Sequence, residues 1–157
     1  MASRAHPGAL RRVDLSFDLQ APPSMMSAAA RLAKDFPGTQ IALTHLGLPL
    51  DRSVAGLRAW DRGMEQLAEC ANVSVKISGL PMCDWNWTPA SLRPLVRRTL
   101  QLFGAERCMI GSNFPVDSLH ASSYAALIAA YRGCLSDLSE REVHSVMHGT
   151  AERVYRI

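Results

Sequence analysis

Apolar and polar positions along the chain follow two alternating rhythms. Four short stretches, at residues 13–19, 40–45, 73–78 and 108–112, show a two-residue alternation or a short apolar core, which predicts strands. Longer stretches between them repeat at helical spacing. Residues 24–36 place Met25, Ala28, Ala29, Leu32, Ala33 and Phe36 on one stripe, and Pro37 and Gly38 end it. Residues 54–71 carry Leu57, Trp60, Met64, Leu67, Ala68 and Ala71, with Asn72 at the C-terminal end. A third helix is predicted over residues 91–103, with Ser91 as N-cap, Pro94 in the first turn and Gly104 as stop. Helices at residues 122–135 and 139–148 follow the last strand, and a short terminal piece runs through Tyr155. Ser139 followed three residues later by Glu142 is a capping box.

The order is therefore β-α-β-α-β-α-β-α-α. Such alternation predicts an α/β fold with a parallel sheet and right-handed crossovers. Two architectures share it. Strands that neighbour in sequential order fit part of a barrel, and a reversal of order at a switch point fits a doubly wound, flavodoxin-like domain.

In parallel α/β folds the chemistry sits at the carboxyl ends of strands. The first strand ends at Asp18, Leu19 and Gln20, the second at Thr44 and His45, the third at Lys76, Ile77 and Ser78, and the fourth at Ser112 and Asn113. His45 is the sharpest candidate. An imidazole there is a general base, a donor to a carbonyl or a metal ligand, unless it only bonds a neighbouring loop. Lys76 alternates with Val75 and Ile77, and Asp18 with Phe17 and Leu19, so both face away from the apolar side. They are an interior ion pair, a solvated face or part of the site. Asn113 is a hydrogen-bonding group that takes no proton at neutral pH. Asp117 either titrates in the site or begins a turn. Trp85 and Trp87 wall a pocket or form a lid packed on the helices. His144 and His148 are four apart but lack the metalloprotease pattern, and no phosphate-binding loop occurs.

Composition narrows the classes. The chain has 157 residues, 48% hydrophobic and 20% charged, which is ordinary for one globular domain. It falls short of a complete (β/α)₈ barrel, which takes about 250 residues. The net charge of +3 is dispersed and the basic clusters are short, so no nucleic-acid footprint is present. No run is long and apolar enough for a membrane span. Cys70, Cys83, Cys108 and Cys134 form no C-x-x-C pair, which points to reduced thiols and a cytoplasmic setting.

Several ordered motifs resemble a known family. Leu15-Ser16-Phe17-Asp18-Leu19-Gln20, Thr44-His45-Leu46-Gly47, Val75-Lys76-Ile77-Ser78-Gly79-Leu80, Gly111-Ser112-Asn113-Phe114-Pro115-Val116-Asp117 and the closing residues 151–157 resemble the amidohydrolase superfamily. The branch is that of amidohydrolase-related TIM-barrel hydrolases, which includes sugar lactonases and 2-pyrone-4,6-dicarboxylate lactonase. The resemblance implies a hydrolase of a lactone or similar ester-like bond in a small carboxylate or sugar-derived substrate. It makes residues 13–157 the C-terminal half of a barrel, strands five to eight with an extra C-terminal helix. Residues 1–12 are then a frayed remnant of a preceding helix.

The resemblance also implies roles. His45 matches the family's histidine at the end of the sixth strand. Asn113 falls where most members carry the eighth-strand aspartate, which serves as base or metal ligand. His45 and Asn113 are thus the expected catalytic residues, and Gln20, Lys76, Ser78, Trp87 and Asp117 the expected substrate-binding ones. No cofactor is expected. Full-length relatives can carry a divalent metal, but the H-x-H of strand one is absent here, and one imidazole does not make a zinc site. The partners implied are a small-molecule substrate and either a second copy of the chain or a missing N-terminal half. The alternative function is a catalytically silent half-barrel that binds a partner through its open sheet edge.

Overall fold

The computed structural model describes Leu10 and residues 12–157. The expectation for residues 1–12 lies outside the described residues, apart from Leu10 and Arg12. Four strands, β1 (Phe17–Leu19), β2 (Ile41–Leu43), β3 (Val73–Ile77) and β4 (Cys108–Ile110), form one parallel sheet in the order β1-β2-β3-β4. Sequential order with parallel pairing is the arrangement of a partial barrel, and it excludes the doubly wound alternative.

The helices are α1 (Met26–Asp35), α2 (Val54–Ala68), the short α3 (Leu80–Cys83), α4 (Pro89–Phe103), α5 (Tyr124–Cys134), α6 (Glu140–His144) and α7 (Thr150–Tyr155). A π-helical turn at Ser145–Gly149 joins α6 to α7. The long helices cover one face of the sheet. Ile41, Leu43, Val73, Val75, Ile77 and Cys108 all point into the main core there, with Met64 and Leu67 of α2, Val96 of α4 and Leu127 of α5. These are alternate residues of each strand, which is the period of two that the sequence shows.

The other face is closed differently. Ala42 and Met109 pack with Val154 of α7, and Ala151 and Tyr155 flank them. Helix α7 runs across this inner face and is tied at both ends of the sheet. Arg153 bonds the Glu106 backbone carbonyl ahead of β4, and Arg156 bonds the Asp14 carbonyl ahead of β1 at 2.7 Å. Between them Tyr155 donates to Asp18 at 2.5 Å, and Lys76 pairs with the same carboxylate at 2.6 Å.

Several boundaries depart from the sequence reading. The first strand is confined to Phe17–Leu19, because Asp14 turns through φ 55° and the amides of Val13 and Leu15 bond Leu10. Val13 and Leu15 are accordingly 64% and 55% exposed. Helix α4 starts at Pro89. Thr88 is its N-cap, and Ser91 sits at the third position as the reciprocal half of a capping box. Pro94 therefore lies one turn deeper than the first turn, on an exposed face. Asn72 does not terminate its own helix. Its side-chain amide donates to Ala33, Phe36 and Thr39, satisfying carbonyls around the end of α1. The capping box of Ser139 and Glu142 is present as expected.

Candidate active site

Three strand ends build the site, and each turns the backbone through the left-handed region. After β2, His45, Leu46, Gly47 and Leu48 all have positive φ, at 54°, 49°, 68° and 53°. After β3 it is Gly79 at 63°, and after β4 it is Asn113 at 55°. A non-glycine residue held this way costs of order 1–3 kcal/mol, so the surroundings must hold it. They do so after β2. Leu46 is fully buried, its carbonyl accepts from Trp60 Nε1 at 2.7 Å, and Leu48 N–H bonds the His45 carbonyl at 2.9 Å.

The turns bring four of the expected residues together. His45 Nδ1 lies 2.9 Å from Ser78 Oγ. Ser78 is itself buried, so this bond limits how the imidazole rotates. Asn113 Nδ2 donates to Asp117 Oδ1 at 2.9 Å. Asp117 is 0% exposed and acts on His45 through its charge. The start of α3 faces this pair of buried groups, with the Gly79 backbone beside the Asp117 carboxyl and the Leu80 backbone beside the Tyr131 hydroxyl of α5. Burial holds His45 below its usual pKa. The Asp117 charge opposes this, Lys76 reinforces it, and Asp18 opposes it. Burial pushes the Asp117 carboxyl up, against the Asn113 amide and the His45 and His120 rings.

The remaining candidates sit around this cluster. Gln20 is exposed at the carboxyl end of β1. Lys76 lies on the inner face, where burial pulls its pKa down, but Asp18 and Tyr155 outweigh it and the net shift is upward. Asp18 and Lys76 thus form an ion pair on a partly solvated face, and Lys76 also lies 4.9 Å from the centre of the Tyr155 ring. Trp87 packs against the main core and donates from Nε1 to the His120 carbonyl at 2.7 Å, which joins the loop after β3 to the loop after β4. Trp85 stacks on the His120 ring and is 74% exposed.

Gly79 was not singled out from the sequence. A Cβ there would stand 2.7 Å from His45 Nδ1, so its positive φ and the approach of the imidazole both require glycine. Tyr131 was also missed, and nothing in a helical tyrosine marks it from sequence. The thiols are unsuited to nucleophilic work. Burial pushes Cys83 up to about 11 and Cys108 up to about 12. Among the described residues no group of three or more His, Cys, Asp or Glu side chains can hold a metal. A catalytic zinc needs three protein ligands, and the site offers the His45 and Asp117 side chains. The residues present do not by themselves fit a resident metal.

Comparison with known proteins shows the family. The family model described as Amidohydrolase matches residues 7–157. The chain belongs to the amidohydrolase family. An uncharacterized protein, y4mH of Sinorhizobium fredii, is 41% identical over 148 residues, covering 94% of this chain and 49% of that protein. An L-fucono-1,5-lactonase of Burkholderia ambifaria is 32% identical over 154 residues, covering 92% of this chain and 51% of that protein. A solved amidohydrolase of Burkholderia multivorans with bound HEPES superposes with a TM-score of 0.87 at 27% identity, covering 95% of this chain and 55% of that one. A second structure of an amidohydrolase from that organism, at TM-score 0.87 and 26% identity, holds zinc.

The amidohydrolase resemblance read from the strand-end motifs is therefore correct, and the fold is a partial barrel of that family. The chain spans about half the length of the curated relatives it matches. Among the described residues no helix is long and apolar enough to cross a membrane.

Proposed function

We propose that this chain supplies the carboxyl half of a hydrolase that opens a lactone or similar ester-like bond in a small carboxylate or sugar-derived molecule. It acts together with an amino-terminal half that completes the barrel around the same strand ends. The observation that carries the reading is the His45 imidazole. It is held in a strained left-handed turn at a strand end, bonded to Ser78, and set beside the Asn113–Asp117 pair. The similarity to L-fucono-1,5-lactonases supports the substrate class.

Burial favours the neutral form of His45, the form that accepts a proton. With Nδ1 engaged by Ser78, Nε2 takes a proton from the attacking water as oxygen adds to the ester carbonyl. The tetrahedral intermediate then expels the ring oxygen, which recovers that proton from the imidazolium, and the lactone becomes a hydroxy acid. Asn113 orients the water. Gln20, Lys76 and Trp87 border the substrate. The setting is cytoplasmic, which the four free, buried cysteines support.

The test is a complementation assay. The chain is co-expressed with the part of the Sinorhizobium relative that it does not match, and L-fucono-1,5-lactone hydrolysis is followed. Loss of a general base lowers turnover by about 10²–10⁴-fold, so His45→Ala abolishes detectable hydrolysis. Unchanged turnover in that variant ends the assignment.

A further inference from the structure

A carboxamide has a donor end and an acceptor end, and which end faces the reactants decides what it can do. Three observations settle this for Asn113. Its Nδ2 lies 2.9 Å from Asp117 Oδ1. Asp117 is fully buried, and both the Asn113 amide and the Gly79 backbone donate to it, which suits a carboxylate that only accepts. The backbone locks the two residues in one turn, since Asp117 N–H bonds the Asn113 carbonyl at 3.1 Å and Ala121 N–H bonds the Asp117 carbonyl at 2.8 Å. Flipping the amide would set its oxygen against a carboxylate oxygen at that same short distance, with no hydrogen between them.

We propose that Asp117 is a positioning residue that pins the Asn113 amide by its nitrogen, so that Asn113 presents its carbonyl oxygen to the reacting water. This rests on the reading that the site hydrolyses an ester-like bond. A water that donates one hydrogen to Asn113 Oδ1 and the other to His45 Nε2 keeps a lone pair for the carbonyl carbon. Two acceptors thus hold the nucleophile where a carboxylate base does not stand. Asp117 is 0% exposed, so its action on the water passes through the Asn113 amide that it holds. Its substrate-binding role expected from sequence is replaced, in this proposal, by a role exerted through the amide. The left-handed backbone at Asn113, with φ 55°, makes the same demand, since a strained residue is kept in place by its neighbours.

The test reads the amide directly in the full chain, by its side-chain signals in a nitrogen–proton correlation spectrum. In the wild type the two Asn113 amide protons are widely separated, one shifted downfield and slow to exchange. Asp117→Asn keeps the shape but removes the charged acceptor, and the downfield shift and the slow exchange are lost. A folded Asp117→Asn chain with both features intact overturns the proposal. If that variant does not fold, Asn113→Asp decides. Two carboxylates at hydrogen-bond distance cannot both ionise, so a carboxyl carbon spectrum at neutral pH shows one protonated acid. Two fully ionised carboxylates overturn the proposal. In the complemented enzyme, Asp117→Asn lowers kcat about 10²-fold with little change in KM, the signature of a misplaced nucleophile. A change confined to KM overturns it as well. Absence of lactone hydrolysis in the wild-type complex counts against the proposed reaction alone, because the spectra still report how the amide is held.

Discussion

The two faces of the four-stranded sheet are made of alternate residues from the same strands, yet they are closed in different ways. On the outer face Ile41, Leu43, Val73, Val75 and Ile77 are fully buried under long amphipathic helices. On the inner face Ala42 and Met109 meet Val154 of α7, while Asp18, Lys76 and Tyr155 form a polar network that keeps access to water. The outer face holds the fold by removing apolar area from water. The inner face sets the charges beneath His45, since Lys76 and Asp18 both act on that imidazole. In one short strand, stability and chemistry are thus divided between odd and even positions.

Four changes break or sharpen this contrast, from the largest effect to the smallest. Leu43→Ala opens a cavity in the outer core and lowers unfolding free energy by about 2–5 kcal/mol, read from the urea midpoint. Gly79→Ala forces a side chain onto His45 and into a positive φ, and loses about 1–3 kcal/mol while shifting the His45 ring signals. Lys76→Met removes an ion pair whose side chains are 25% and 45% exposed, so its effect on stability stays below about 1 kcal/mol. A loss as large as that of Leu43→Ala would erase the contrast between the faces.

The smallest effect is a slope. Burial lowers the His45 pKa in the folded chain, so below 6.5 the unfolded chain binds a proton that the folded imidazole resists. Its contribution to stability is therefore present above that value and falls as pH drops through it. Asp117 has the opposite sign. Its raised pKa favours the folded state at acid pH, and that contribution is lost as pH rises through the raised value. His45→Gln flattens the dependence below the ordinary value of 6.5, measured as melting temperature against pH.

Much of this was legible in the sequence, and the reasons are local. A two-residue apolar alternation marks the outer face at β2 and β3, and the stripe of α2 follows from helical spacing through Trp60, Met64 and Leu67, whereas α1 buries Met26, Ala29, Ala30 and Ala33 and leaves the expected Met25 and Ala28 exposed. His45 and Asn113 stood out because parallel strands end at functional sites. The pairing of Asp18 with Lys76 was posed but open, because it depends on registry across three strands, which no local pattern carries. Asn72 looked like the end of its own helix, and only the packed structure shows its amide reaching α1. Ser91 reads as the N-cap from sequence but lies three residues inside it, as the reciprocal partner of the true cap Thr88. Asp117 read as a loop residue. Its full burial is a tertiary result, because its turn at Val116–Leu119 packs against α3.

The most direct test of the account is lactone hydrolysis by this chain alone and mixed with the unmatched half of the Sinorhizobium relative. The account predicts no turnover by the chain alone, turnover when the halves are combined, and loss of that turnover in His45→Ala. Equal turnover by the chain alone, or a stable complex of the halves that hydrolyses no lactone, would contradict it.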